Sequence, residues 1–92
     1  MENKHKQDVL ARLKSVEGHL RGVERMVEED VYCVDVIKQT LAVQKALDKI
    51  NAMMLENHLN TCVTTAIRSE DGNERERVIG EIIDVFAATN KL

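Results

Sequence analysis

His58 and Cys62 stand four residues apart, and Cys33 lies 25 residues before that histidine. Residues at i and i+4 of a helix share a face. An imidazole and a thiol so placed form a two-donor clamp for a soft or borderline metal ion, although ordinary helix packing produces such pairs too. Cys33 follows Asp30, a good N-cap residue, by about one turn. A thiol in the first turn of a helix faces the positive end of its dipole, which favours the metal-binding thiolate. Along one continuous helix, however, Cys33 and His58 would be roughly 37 Å apart. Two antiparallel copies resolve this. With residue 33 of one chain beside residues 58–62 of the other, the twofold axis falls near Ala46 and Leu47, and two identical sites result. The same geometry excludes an intrachain Cys33–Cys62 disulfide, whose α-carbons must lie within about 7 Å.

Two sulfurs and one nitrogen suit Cu(I), which accepts three soft donors. Zinc generally takes a fourth ligand, and His5 or Glu81 are candidates for it. His5 is otherwise an ordinary solvated side chain near the N-terminus.

These donors need helices to hold them, and the sequence supplies three. Val9, Leu13, Val16, Leu20, Val23 and Val27 recur at spacings of 4 and 3, the seam of a helix packed lengthwise on others. Val36, Thr40, Val43, Leu47, Ile50 and Met54 continue the rhythm, and Leu55, Leu59, Cys62 and Ala66 form a second face. No glycine or proline occurs between Gly22 and Gly72. The segment Ser69-Glu70-Asp71-Gly72-Asn73 is the clearest turn signal. Beyond it, Val78, Ile82, Val85 and Phe86 form a third apolar stripe. The expected architecture is all-α, one domain over residues 1–92, with helices at about 7–28, 32–69 and 74–88. A straight helix over 32–69 would run roughly 57 Å, too long for the other two to sheath. An oligomer of antiparallel helices is the simplest solution.

Composition narrows the function. The 92 residues include no proline or tryptophan and only one tyrosine and one phenylalanine. A chain this short makes a marginal monomer. The polar N-terminus has no signal-peptide core, and no apolar run is long enough to span a bilayer. Two cysteines then read as reduced thiols, with the cytoplasm as the expected location. No nucleophile–base pair or phosphate loop is present, so an enzyme is not expected.

Four segments together resemble the copper-sensing transcriptional repressors of the CsoR/RcnR family. They are Arg12-Leu13-Lys14, Glu17-Gly18-His19-Leu20-Arg21-Gly22, Tyr32-Cys33-Val34-Asp35-Val36 and Asn57-His58-Leu59-Asn60-Thr61-Cys62. The likeness extends to Ile82-Ile83-Asp84-Val85-Phe86. Within that family, nickel and cobalt sensors carry histidine in place of Cys62 and add an N-terminal histidine. Formaldehyde sensors lack the last cysteine, and persulfide sensors have cysteine in place of His58. The resemblance therefore implies Cu(I) as effector, held by Cys33, His58 and Cys62. It also implies a disc-like homotetramer, a dimer of dimers, whose metal-free form binds double-stranded operator DNA and releases it on binding Cu(I). Tyr32 and Glu81 match positions thought to couple the bound imidazole to the rest of the fold. Without the resemblance they read as a space-filling ring and a solvated charge.

The net charge of −3 conceals an uneven distribution. Residues 1–25 carry a net +2, residues 26–72 a net −4 and the remainder −1. Lys14, Arg21 and Arg25 fall along one side of the first helix, and Lys38, Lys45 and Lys49 form a stripe on the second. Repeated in an oligomer, these make a basic face for DNA phosphates. The resemblance points to Arg12 and Lys49 as DNA contacts, with Lys14 and Arg21 as neighbours. No helix-turn-helix is evident, so readout would rest on phosphates and duplex shape. Alternatives left open are a sensor of zinc, nickel, cobalt or an electrophile, and a cytosolic metal buffer with no DNA role.

Overall fold

The structure, a computed structural model, describes residues 2–89. Every regular element among them is helical: α1 (Asn3–Glu28), α2 (Cys33–His58), a π-helical segment (Leu59–Val63), α3 (Thr64–Arg68) and α4 (Gly72–Thr89). Three helical runs result, as the sequence implies. α1 starts earlier than expected because nothing in Asn3-Lys4-His5-Lys6 opposes a helix, and its first backbone bond is Lys6 N–H to Glu2 C=O at 2.9 Å.

Backbone contacts group the chain into two compact units, one ending at Leu55 and one beginning at Glu56. In the first, α1 and the greater part of α2 form a helical hairpin. Val9, Val16, Val43 and Ile50 make its buried cluster, with Leu13, Ala46 and Met53 packed against it. The buried residues of α1 are Val9, Val16 and Val23, one per heptad. Leu20 and Val27, which share their seam in sequence, are exposed. A hydrogen bond between His19 Nε2 and Gln39 Oε1, 2.8 Å, ties α1 to α2 nearer the turn.

That turn corrects one expectation. Asp30 does not cap α2; it closes α1. Its backbone is left-handed, with φ of 56°. Asp30 N–H bonds to Val27 C=O at 3.1 Å, and Val31 N–H reaches back to Met26 C=O at 3.0 Å. This pair of bonds is the Schellman closure, in which the left-handed position is normally glycine, and aspartate is among the few side chains that tolerate it. Tyr32 then takes the capping position, its C=O accepting from Asp35 and Val36 N–H, and Cys33 becomes the first residue of α2.

In the second unit Val63, Ala66 and Val78 form the core, with Ile82 packed against it. Here too the sequence expectation needs correcting, because the run 33–68 is not one uniform α-helix. The π segment accommodates an extra residue per turn. The apolar face therefore passes from Cys62 to Val63, which is buried while Cys62 is exposed. Threonine hydroxyls serve the displaced carbonyls: Thr64 Oγ1 donates to Leu59 C=O five residues back at 2.6 Å, and Thr61 Oγ1 to Asn57 C=O at 2.7 Å. α4 starts two residues before the expected position, because Asp71 caps it. Asp71 Oδ1 accepts from Asn73 N–H at 3.0 Å, and its C=O accepts from Arg75 N–H.

Two stability predictions follow from these positions. Asp30→Gly should be neutral or raise the denaturation midpoint, whereas Asp30→Val should lower stability by about 1–3 kcal/mol, the usual cost of a β-branched residue held left-handed. Val78 is 1% exposed, and Val78→Ala should cost about 1.5–3 kcal/mol. Urea unfolding at fixed protein concentration measures all three.

Candidate metal centre

Cys33 is exposed at the N-terminus of α2. It borders a shallow concavity lined also by Val27, Asp30, Val31, Val36 and Ile37. The closure of α1 at Asp30 thus decides where the thiol stands: Asp30 lines the same concavity as the sulfur. Tyr32, adjacent in the turn, is 67% exposed.

His58 is the last residue of α2 and half-buried, and Cys62 lies in the π segment that follows. The thiol is exposed, and Thr61 Oγ1 approaches its Sγ at 3.6 Å. The two candidate donors therefore straddle a change of helical register instead of sitting on one regular α-helical face.

Glu81 faces His58. Its Oε2 lies 3.9 Å from His58 Nε2, within ion-pair reach but too long for a hydrogen bond. The other oxygen, Oε1, accepts from Arg77 Nη1 at 2.6 Å. Arg77 also bonds Glu74, through Nε to Oε2 at 3.2 Å and through Nη2 to Oε1. The hydrogen bond from Arg77, reinforced by its charge, holds the Glu74 carboxyl below its ordinary value. Glu74 in turn, through that bond and its charge, with Glu81 adding to it, raises the Arg77 guanidinium further. The i, i+3 and i+7 positions of Glu74, Arg77 and Glu81 make this chain of charges legible in the sequence as one stripe along α4.

His58, Cys62 and Glu81 thus belong to the unit that begins at Glu56, and Cys33 and Tyr32 to the other. Among the described residues of the single chain, no three His, Cys, Asp or Glu side chains form a group suited to a metal ion. His5, the other candidate nitrogen donor, lies in the first turn of α1. Its Nε2 is enclosed without a hydrogen-bond partner. Arg12, Lys14 and Arg21 on α1 and Lys49 on α2 are all exposed. Arg21 faces Glu17 at 4.0 Å, and Arg12 lines a small concavity with Ser15, Val16, His19 and Ala46.

A family of metal-sensitive transcriptional repressors matches residues 5–88, almost the whole chain. This chain belongs to that family. It is a family of repressors, not of enzymes, and no helix of the protein, among the described residues, is long and apolar enough to cross a membrane. Among its relatives, the copper-sensing transcriptional repressor CsoR of Mycobacterium tuberculosis is 48% identical over 87 residues, 95% of this chain and 71% of that one. The CsoR of Bacillus subtilis is 44% identical over 89 residues, 97% of this chain and 85% of that one. The crystal structure of the CsoR of Geobacillus thermodenitrificans with Cu(I) superposes with a TM-score of 0.88 at 36% identity, over 99% of this chain and 92% of that one. The nickel-responsive regulator InrS superposes with a TM-score of 0.75 at 36% identity, over 87% and 90%. The all-helical fold of the metal-sensitive repressors is thus this protein's own.

Arg77→Met should return the Glu74 carboxyl towards its ordinary value of 4.5. Because the folded value is depressed, the contribution of this pair to stability is present above that ordinary value and fades as pH falls through the lower folded one. Carboxyl carbon NMR across an acid titration reads both; an unchanged Glu74 midpoint in the variant would contradict the assignment.

Proposed function

We propose that the protein is a cytoplasmic Cu(I)-responsive transcriptional repressor whose metal-free tetramer holds operator DNA and whose copper-loaded form releases it. The observation that carries this reading is the donor set, two thiols and one imidazole, in a chain so similar to copper-sensing repressors. Cys62 favours Cu(I) over nickel or cobalt, since a thiolate in place of an imidazole selects the softer ion.

Cys33 and His58 are the first and last residues of α2. That placement supports sites shared between antiparallel chains, Cys33 from one with His58 and Cys62 from the partner subunit. Exposed apolar side chains support the assembly: on α2, Ile37, Leu41, Leu47 and Met54, and on α4, Ile79 and Ile83. An apolar surface this extensive calls for cover by further copies of the chain. A dimer of dimers gives every one of these helices a neighbour.

The chemistry of the residues fits the ion. Cu(I) would supply a soft acceptor that holds two thiolates and an imidazole in one place. His58 presents Nε2 to Glu81, which leaves Nδ1 as the donor. A ring fixed through one nitrogen directs the proton on the other at the carboxylate, so occupancy is passed from His58 to α4. Tyr32 is assigned with Glu81 to this coupling of the bound His58 imidazole to the rest of the fold. Arg12, Lys14 and Arg21 on α1 and Lys49 on α2 contact operator phosphates in the metal-free form. The conformation favoured by copper fits DNA less well, and by linkage DNA weakens Cu(I) binding by the same factor. The exposed basic residues distinguish this reading from a metal buffer, which has no use for them.

Anaerobic Cu(I) titration followed by X-ray absorption, with binding to the chain's own promoter DNA measured in parallel, tests the proposal. The expected site has two sulfurs and one nitrogen, and Cu(I) should weaken operator binding about 5- to 150-fold, the usual span of such couplings. Fewer than two sulfurs would refute the ligand set, and no gel shift would refute the repressor. His58→Ala should still bind copper through sulfur yet lose most of the coupling. Release of that variant by copper as efficiently as the wild type would rule out the imidazole relay. Arg12→Ala should weaken binding on all DNA sequences and flatten its salt dependence.

A further inference from the structure

We infer that Arg77 is a positioning residue for the metal response, holding the Glu81 carboxylate so that only Oε2 is left to face His58. This inference rests on the functional reading above, but the geometry behind it is independent of metal. Glu81 is an exposed side chain on α4, and a lone exposed glutamate samples many rotamers. Arg77 removes that freedom by binding Oε1 at 2.6 Å. A single exposed ion pair does this poorly. Arg77 is itself anchored, however, because two other nitrogens of its guanidinium, Nε and Nη2, are committed to Glu74. A planar fork bound on two sides has little freedom to swing away.

The backbone beneath is equally fixed. Glu74 lies in the first turn of α4, just beyond the Asp71 cap, where a carboxylate is favoured by the helix dipole. Val78, between Arg77 and Glu81 in register, is the most deeply buried residue of its core. Glu74, Arg77 and Glu81 thus form one row along the helix, and its last member ends 3.9 Å from His58 Nε2. The row orients Glu81: Arg77 occupies one carboxylate oxygen and leaves the other on the side of His58.

Ring-nitrogen NMR of the metal-free protein at neutral pH tests the positioning directly. Glu81→Gln defines the His58 Nε2 signal without the carboxylate. Arg77→Met is expected to shift the wild-type signal most of the way to that reference, and Arg77→Lys, which keeps a cation beside Oε1, to shift it less. An Arg77→Met signal identical to wild type would overturn the inference. In parallel, Arg77→Met should reduce the factor by which Cu(I) weakens operator binding about three- to tenfold. Copper stoichiometry, copper affinity without DNA and metal-free operator affinity should each stay within about twofold. Equal losses in Arg77→Met and Arg77→Lys, accompanied by a lowered melting point in both, would mark Arg77 as merely structural and also overturn it. If Cu(I) fails to release wild-type protein from DNA while the NMR shift appears, the repressor reading fails and the positioning role stands.

Discussion

The interior of each unit is filled by small side chains. Valine dominates both buried clusters, joined by one isoleucine in the first and one alanine in the second. Small β-branched residues let helices approach closely, but they bury little area apiece. Leu41, Leu47, Met54, Ile79 and Ile83, which carry more apolar surface, lie outside. The hydrophobic term available to one chain is accordingly modest, and in the proposed assembly the exposed apolar side chains serve contact between chains. Everything proposed for the protein depends on this division. A chain that satisfied its own apolar surface would have no reason to present the two ends of α2 to a partner.

The second constraint is helical register. Were Leu59–Val63 α-helical, Cys62 would turn towards the face that Val63 occupies and compete with it for the core. The π segment assigns burial to Val63 and exposure to the thiol. Thr64 and Thr61 hold that arrangement with hydroxyls on the carbonyls of Leu59 and Asn57. Irregular turns of this kind recur at functional sites, and here the irregularity separates a packing residue from a candidate donor one position away.

Much of the architecture was legible in the sequence, for physical reasons. The heptad spacing of Val9, Val16 and Val23 and the absence of glycine and proline between Gly22 and Gly72 leave helices as the only economical fold. The candidate donors could be singled out as well, since cysteine and histidine are rare enough for their spacing to stand out. What escaped was local. Asp30 has the composition of an N-cap, and only its left-handed backbone shows that it ends one helix instead of starting the next. The π segment escaped because its hydrophobic pattern, read at a period of 3.6, gives a plausible but displaced face. The row from Glu74 to Glu81 looked like any solvated stripe until the distances showed one guanidinium shared between two carboxylates.

The turn between α1 and α2 has a consequence for how such a protein can change. Its residues are bound end to end: Glu29, Asp30 and Val31 donate backwards into α1, and Tyr32 accepts from α2. No slack remains, and one inserted residue would rotate Cys33 by about 100° around the helix axis. The bearing of that thiol is therefore written into backbone hydrogen bonds, not into the packing of neighbouring side chains. In the proposed role of Cys33 as a metal ligand, a substitution there changes the atom presented and leaves the direction in which it is presented to the backbone of the turn.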